Sequence, residues 1–249
     1  MAQLPASIRV ALWVSHAWAH ERDLDPALAQ ALPDVDIVLG LPEQLGLWRG
    51  LGENAVYASL PRPGASGLLP QCDEEAFDAA TFVGEAVFAA GVGAVSIPRH
   101  VTFGAQDPGL ALRWEAYDAA PVPVHRLAGV DVTAADRDLR AAVHTATDAL
   151  GDGGWADAWQ RERPGRVERE WGLPPDLPDR VRALVVRAGV ILEIAEAGLA
   201  HADGSTSAEL AEHRRAPLLV LRAVAETALE AAACGGVAYL AAQSRTMRS

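Results

Sequence analysis

Two histidines that lie four residues apart are the strongest candidates for chemistry in this chain. His16 and His20 follow directly on an apolar stretch, and their spacing places both imidazoles on one face if the segment forms a helical turn. Two imidazoles and a carboxylate can bind a divalent metal, and Glu21 or Asp23 could serve as the third ligand or as a base. The alternative is a surface turn in which two solvated imidazoles lie beside a packed Trp18.

A second pair of candidates, Arg99 and His100, follows the fourth predicted strand. Ligands of open α/β sheets bind outside the carboxyl ends of strands. His100 could therefore approach His16 and His20 if the first and the fourth predicted strands are neighbours in the sheet. An arginine at this place could hold an anion. We therefore group His100 with His16 and His20 as candidate catalytic residues and take Arg99 as a candidate binding residue. The alternative is a polar loop.

The loop of residues 61–67 is rich in proline and glycine and contains Arg62 and Ser66. Its glycines and Ser66 could surround a phosphate, although the loop is neither Gly-x-Gly-x-x-Gly nor Gly-x-Ser-x-Gly. The alternative is a mobile connection or a surface for a partner. Arg62, Ser66 and Trp18 complete, with Arg99, the set of predicted binding residues.

The basic residues of the chain exclude several kinds of catalysis. All 21 of them are arginine, so no lysine is present. A Schiff base on a side-chain amine cannot form, which excludes a pyridoxal-phosphate enzyme, and a P-loop of the usual kind lacks its lysine. No cofactor is predicted from the sequence, and a divalent metal is the one group that the histidines suggest.

Charge and composition limit the partners and the compartment. The 249 residues carry a formal net charge of −12, which is opposite to that of a surface that binds nucleic acid through its phosphates. No stretch is apolar enough for a transmembrane span. Cys72 and Cys234 are far apart and form no Cys-x-x-Cys pair, as expected for a reducing compartment. We therefore expect a cytoplasmic protein that binds neither nucleic acid nor a membrane.

The first half of the chain alternates predicted strands and helices. Strands are predicted at residues 8–14, 35–39, 54–60 and 94–97, with a continuation at 101–103, and helices at 25–32, at 43–49 and from Asp73 through Phe88. Residues 110–117 alternate as an edge or half-exposed strand, antiparallel to its neighbour. This order predicts an α/β fold with a mostly parallel sheet and helical crossovers.

The second half of the chain is predicted to be all-helical. A helix follows a Thr133–Asp136 capping box, another spans residues 179–199, and a last one follows Thr206 and is kinked or started by Pro217. Trp155, Trp159 and Trp171 lie between them and are interpreted as packing or interface anchors. The sequence thus predicts an α/β domain over residues 1–130 and a helical domain, or a helical layer on the sheet, over 131–249.

The order of these segments resembles an uncharacterised family of actinobacterial proteins of about this length. The stretches that carry the resemblance are residues 11–13, 60–64, 84–87 and 112–114 and the last helix over 209–233. The resemblance covers most of the chain. It implies a bacterial, cytoplasmic protein with this layout, and it supplies no activity and no site residue.

Two functions follow from these observations. The first is a non-catalytic interaction or regulatory protein that binds a protein partner, or a second copy in a homodimer, through the alanine- and leucine-rich C-terminal helices. The absence of established catalytic motifs favours it. The alternative is a metal-dependent hydrolase or lyase that acts on a small molecule at the carboxyl ends of the strands, with His16, His20 and His100 at its site.

Overall fold

The computed structural model describes residues 4–104, 109–150, 172–203 and 208–247. The chain forms two compact units. The first, here called the α/β unit, consists of residues 4–130, 173–178 and 233–249. The second, the helical unit, consists of residues 1–3, 131–172 and 179–232. The prediction of an α/β domain over residues 1–130, followed by a helical domain or a helical layer on the sheet over 131–249, stays a prediction.

Thirteen helices and strands make up the described part of the chain. In the α/β unit they are α1 (Ala6–Ala19), α2 (Leu24–Ala31), β1 (Ile37–Leu39), α3 (Leu41–Gly50), β2 (Tyr57–Ser59), α4 (Glu74–Val83), β3 (Ala86–Ala89), β4 (Ala94–Phe103), β5 (Gly109–Asp118) and α5 (Val124–Ala128). They are followed by α6 (Val132–Leu150), α7 (Asp179–Asp203) and α8 (Ala208–Met247), whose residues from 233 onward belong to the α/β unit. The predicted all-helical second half is confirmed for the described residues.

The sheet has the strand order β1-β5-β4-β3-β2 and is mostly antiparallel. Among the described strands, only β1 and β5 pair in parallel. The prediction of a mostly parallel sheet is therefore wrong. The physical reason is that β3, β4 and β5 follow one another through connections too short for a helical crossover, which leaves antiparallel pairing as the arrangement of neighbours.

The longest strand pair joins β4 to β5. Its register runs from Ala94 opposite Asp118 to Phe103 opposite Gly109, so the predicted continuation of the fourth strand past Pro98 is confirmed. The predicted antiparallel pairing of the last strand is also confirmed. Of the two alternatives for this strand, the edge position is wrong, because β5 pairs with β1 on its other side, and the half-exposed strand is confirmed.

The most consequential correction concerns residues 8–14, which form the middle of helix α1 and not a strand. Every residue of α1 except Trp13 is buried. A helix that is buried on all sides is apolar on all sides, so its sequence lacks the 3.6-residue pattern that identifies an amphipathic helix. Short apolar runs of this kind fit a buried strand equally well.

A second correction concerns the helix predicted from Asp73 to Phe88. Asp73 caps this helix as predicted, and its carboxylate accepts a hydrogen bond from the Ala76 N–H at 2.8 Å. The helix ends at Val83, because Gly84 adopts a left-handed conformation (φ 84°). The apolar residues beyond it form β3, a wholly buried strand.

Helices cover both faces of the sheet. On one face α1, α2 and α3 form a core with the strands, which contains Val10, Val14, Trp18, Leu28, Leu41, Leu45, Trp48, Val87, Leu112 and Trp114. On the opposite face a second core contains Ala80, Ala86, Phe88, Val95, Ile97, Leu127 and Cys234. The first core holds α1 against the sheet, and α1 carries the two candidate histidines.

Polar contacts join both ends of α1 to the residues that directly precede β2 and β3. The Ser15 hydroxyl donates to the Val56 carbonyl (3.2 Å) and accepts from the Val56 N–H (3.0 Å). At the other end, the Ser7 N–H donates to the Glu85 carboxylate at 2.8 Å, which satisfies one of the unpaired amides of the first helical turn. Burial raises the pKa of Glu85, although the hydrogen bond from Ser7 acts in the opposite direction. These contacts set the rotation of α1 about its axis.

A buried arginine adds a third contact between α1 and its surroundings. The side chain of Arg9 is almost fully buried and pairs with Asp34, with Nη1–Oδ1 and Nη2–Oδ2 distances of 2.6 and 3.4 Å. Its Nε donates to the Leu4 carbonyl at 3.0 Å. The charge of Arg9 is thus neutralised, and this pair joins α1 to the residues that follow α2.

The helical unit has its own small core and ion pairs. Ala146 of α6, Ala195 of α7 and Leu221 of α8 pack together, and Asp136 pairs with both Arg140 and Arg187. The predicted Thr133–Asp136 capping box is wrong, since the cap is the Asp131 carboxylate.

Asp131 accepts from the N–H groups of Ala134 and Thr133, which lower its pKa. Pro217 lies inside α8 and does not start it. Trp155, Trp159, Trp171 and Thr206 lie outside the described residues.

The described helices include none that is both long and apolar enough to cross a bilayer.

Two glycines around α3 should respond in opposite ways to the same substitution. Gly40 precedes α3 with φ 82°, and an added Cβ would come within 2.5 Å of the Trp114 carbonyl oxygen. Gly40→Ala should therefore lower the free energy of unfolding by at least about 2 kcal/mol. Gly46 lies exposed inside α3 with nothing within 4 Å of the added Cβ, so Gly46→Ala should raise it by up to about 1 kcal/mol.

Urea unfolding followed by circular dichroism measures both changes. Equal effects of the two substitutions would contradict the close approach of Gly40 to the sheet.

Candidate metal centre

Three possible metal ligands converge at the end of α1. The Nε2 atoms of His16 and His20 lie 2.9 and 3.4 Å from Oδ2 of Asp176, and the three ligand atoms all lie within 4.8 Å of one another. All three residues belong to the α/β unit. This is the only group of three or more metal-ligating side chains in the described parts of the chain.

Local helix geometry places the two histidines together. His16 and His20 are one turn apart at the C-terminal end of α1, where their ring centroids are 4.6 Å apart. Trp13, one turn earlier on the same face, contacts the His16 ring edge-on at 5.6 Å. The C-terminal end of a helix carries a partial negative charge, which favours a cation at this place.

The sequence predicted that these histidines follow a strand. In the structure they lie at the end of a helix. The reason is that residues 8–14 are helical. The pairing of His16 with His20 nevertheless agrees with the prediction that a helical turn places both imidazoles on one face. The expected third ligands, Glu21 and Asp23, are outside the group that converges, and Asp176 takes that place.

The ligand atoms suit a divalent metal in chemistry, and two of their three spacings suit it in geometry, while the third, between the two imidazoles, lies within 4.8 Å. Nitrogen and oxygen ligands about 2.0–2.2 Å from a tetrahedral metal lie about 3.3 Å from one another. The two spacings to Asp176, 2.9 and 3.4 Å, match this value to within about half an ångström. Two imidazoles and one carboxylate leave a coordination position for water or a substrate, as in catalytic zinc sites.

A hydrogen bond prepares His20 to act as a ligand. Its Nδ1 lies 2.9 Å from the His16 carbonyl oxygen, which can only accept, so Nδ1 carries the proton. Nε2 then presents its lone pair toward Asp176. Metal-ligating histidines usually donate their second ring N–H to a carbonyl or carboxylate in this way, which fixes the tautomer and the ring orientation.

The surroundings of His16 favour its neutral form. Burial lowers the pKa of the His16 imidazole most, and the neighbouring His20 and Arg22 lower it further, while the Asp176 carboxylate raises it. The net direction is downward from 6.5. A neutral imidazole is the form that binds a metal. Because a carboxylate oxygen accepts, His16 Nε2 donates a hydrogen bond to Asp176 Oδ2 at 2.9 Å, and a bound metal would take the place of this proton.

Arg99 and His100 are placed away from this group. Both are exposed and lie within β4, where Arg99 is opposite Arg113 and His100 is opposite Leu112. The Arg99 guanidinium pairs with the Glu115 carboxylate at 2.6 Å. His100 does not join His16 and His20, because β4 continues to Phe103 and does not end before His100.

The remaining predicted binding residues are also separate from the three ligands. Arg62 pairs with Ala65 through two backbone hydrogen bonds of 2.9 Å, which close a tight turn, and Ser66 follows it as an exposed residue. Trp18 belongs to α1 and is buried in the core between α1 and the sheet. The Arg49 guanidinium lies 5.4 Å from the centre of its ring. The structure thus gives Trp18 a packing role.

Family models match nearly the whole chain. The N-terminal domain model of the Rv1486c-like protein matches residues 7–127, and the C-terminal domain model matches residues 133–230. The chain belongs to the Rv1486c-like protein family. This confirms the resemblance to an uncharacterised family. No curated protein and no solved structure is significantly similar to this Rv1486c-like chain.

The three ligands of this Rv1486c-like chain come from both matched regions. His16 and His20 lie in the N-terminal match and Asp176 lies in the C-terminal match. Sequence reasoning missed Asp176, which lies in a proline-rich segment 160 residues from His16. A single acidic residue between prolines, in Pro174-Pro175-Asp176-Leu177-Pro178, is the one local feature that sets it apart.

Proposed function

We propose that this chain binds one divalent metal ion through His16, His20 and Asp176, and that it is a metal-dependent hydrolase or lyase acting on a small molecule. The observation that carries the proposal is the convergence of the three ligand atoms within 4.8 Å. Zinc is the metal that this set of two nitrogens and one oxygen suits best, with manganese and iron(II) as close alternatives.

The three side chains differ in exposure, and this separates a buried side that would hold the ion from an open side that would admit a substrate. The His16 side chain is 2% exposed, which makes it a rigid ligand, whereas Asp176 is 43% exposed and forms the open side. A metal with a free coordination position polarises a bound carbonyl or phosphoryl oxygen and lowers the pKa of bound water. Asp176 can also accept a proton, since a carboxylate has a second oxygen when one oxygen is a ligand.

Equilibrium dialysis against zinc, followed by elemental analysis, tests the metal site. We expect about one zinc per wild-type chain, and a much lower content in His20→Ala and Asp176→Ala. His144→Ala is the matched control, because His144 also lies near a carboxylate, with Nε2 3.7 Å from Asp148, but both side chains are exposed on α6. A wild-type chain that binds no zinc, manganese or iron would contradict the proposal.

Activity is tested on the same proteins. Purified wild-type chain loaded with zinc should cleave model esters, amides or phosphate esters, and His20→Ala should lose this cleavage. A loaded chain that turns over none of these classes would leave a metal-binding protein without hydrolase activity.

A second candidate function is a cytoplasmic interaction protein that pairs with a partner, or with a second copy, through its C-terminal helices. The observation that favours it is the exposure of apolar residues on α8, where Leu219 is 39% and Val220 is 60% exposed. Such residues are candidates for an interface. Light scattering that reports a monomer at micromolar concentration would contradict self-association.

A further inference from the structure

The last turn of α1, which carries both histidine ligands, is held by groups that lie beyond the end of the helix. The final carbonyl groups of a helix have no N–H partner within it. In α1 the His16 carbonyl accepts from the ring of His20 at 2.9 Å, and the Ala17 carbonyl accepts from the Arg22 N–H at 2.9 Å. The next carbonyl, that of Trp18, is reached by a side chain of another helix.

That side chain is Arg49, in the last turn of α3. Its Nη2 donates to the Trp18 carbonyl at 3.3 Å, and its Nη1 donates to the Glu53 carbonyl at 3.2 Å. Its Cζ lies 5.4 Å from the centre of the Trp18 ring. A guanidinium holds two acceptors at once because its donors point in fixed directions, and its charge suits the partial negative charge at the C-terminal end of a helix. Arg49 therefore caps α1 from α3.

The residues around Arg49 fix it in turn. The Glu53 N–H donates to the Trp48 carbonyl at 3.0 Å, and Trp48 is buried in the core that α1 shares with the sheet. The Glu53 carboxylate accepts from the Val92 N–H at 2.6 Å, in the turn between β3 and β4. The cap thus joins the end of α1 to α3 and, through Glu53, to this turn.

Arg49 contacts α1 on the side away from the ligands. Trp18 is two residues from His16 and two from His20, which is about 200° around the helix axis. The guanidinium therefore leaves the open side of the site free while it holds the backbone between the two histidines. His16 lies within the helix, whereas His20 is its C-cap residue, so the place of His20 depends more on this contact.

We infer that Arg49 is a positioning residue of the metal centre, which holds the last turn of α1 so that Nε2 of His20 faces Asp176. The inference rests on the proposed metal site and adds to it a residue that touches neither the ion nor the substrate. Groups that orient metal ligands typically contribute about tenfold to 100-fold in metal affinity. Arg49→Met removes the donors and the charge and keeps a long side chain, and it should weaken zinc binding by about tenfold or more.

Competition titration of zinc against a chelating dye, on the full-length chain, measures this change. Arg49→Lys keeps the charge and one donor for the Trp18 carbonyl, so its zinc affinity should lie between those of Arg49→Met and the wild type. Arg113→Met is the matched control, because it removes an exposed arginine of β5 in the same unit, and it should bind zinc as the wild type does. Near-ultraviolet circular dichroism at the same temperature shows that each variant is folded. If Arg49→Met does not fold, Arg49→Lys tests the inference through its partial loss of affinity.

The ring nitrogens of His20 give a signature that a general loss of stability in a folded variant would not produce. In the metal-free wild type at about pH 8.5, where imidazoles are neutral, nitrogen-15 NMR should show the His20 proton on Nδ1, which faces the His16 carbonyl. In Arg49→Met a substantial share of His20 should carry the proton on Nε2 instead. His16 should keep its proton on Nε2 in both proteins, because it donates to Asp176 from within the helix.

The two measurements separate this inference from the proposed function. Equal zinc affinity in a folded Arg49→Met and the wild type would overturn the inference and leave the metal site standing. Weaker zinc binding with an unchanged His20 ring would also overturn it, since the effect would then not pass through His20. A wild-type chain that binds no zinc would overturn the proposed metal site and, with it, the role of Arg49 in that site.

Discussion

Zinc at 100 times its dissociation constant should stabilise the α/β unit by about 2.7 kcal/mol, because an ion that binds only the folded state shifts the unfolding equilibrium by mass action. For a chain of this size the midpoint of thermal unfolding should rise by about 5–10 °C. The physical basis is that His16 and His20 on α1 and Asp176 in the segment 173–178 come together only in the folded unit. Differential scanning calorimetry with and without zinc measures the shift.

The ligand variants make this prediction specific. His20→Ala and Asp176→Ala should abolish the rise of the midpoint, and His144→Ala on α6 should retain it. Chelation with EDTA should return the zinc-loaded wild type to the midpoint of the metal-free chain. If the midpoint rises equally in the wild type and in all three variants, zinc binds elsewhere on the chain, which would contradict the proposed site.

Asp34→Ala should lower the free energy of unfolding by about 3 kcal/mol, because it leaves the charge of Arg9 buried without its partner. The Arg9 side chain is 7% exposed and the Asp34 side chain is 30% exposed, so water can screen only one side of the pair. The value is at the low end for buried pairs because Asp34 is partly exposed. Urea unfolding followed by near- and far-ultraviolet circular dichroism measures the change.

Two further variants separate the buried charge from the loss of a side chain. Asp78→Ala removes an exposed aspartate of α4 and should change the free energy by less than about 0.5 kcal/mol. Arg9→Met combined with Asp34→Ala should recover much of the stability, because replacing both partners removes the unpaired charge. If the double variant is less stable than Asp34→Ala alone, the loss comes from packing of the Arg9 side chain and not from its charge.

Several elements were predictable because their determinants are local. The Asp73 cap, the helix that begins at Asp179 and the antiparallel strand pair of β4 and β5 follow from residues a few positions apart. The His16–His20 pair belongs to the same class, since a spacing of four aligns side chains on any helix.

Elements that depend on burial were harder to predict. Residues 8–14 form a helix buried on nearly every side, and β3 is a buried strand of four residues. Both are short, uniformly apolar segments, for which periodicity does not separate helix from strand. The wrong strand direction has the same origin. Parallel pairing was predicted from an alternation of strands and helices that began with a strand at residues 8–14, and these residues form a helix.

The sequence by itself determined the donor atoms that α1 carries, the absence of lysine chemistry and the helical character of the second half. Only the tertiary structure decided that a carboxylate 160 residues away joins the two imidazoles of the candidate site and that His100 does not. Spacing along a helix is fixed by backbone geometry over a few residues. The approach of Asp176 to His16 is fixed by how distant segments pack, and no local pattern of residues encodes that distance.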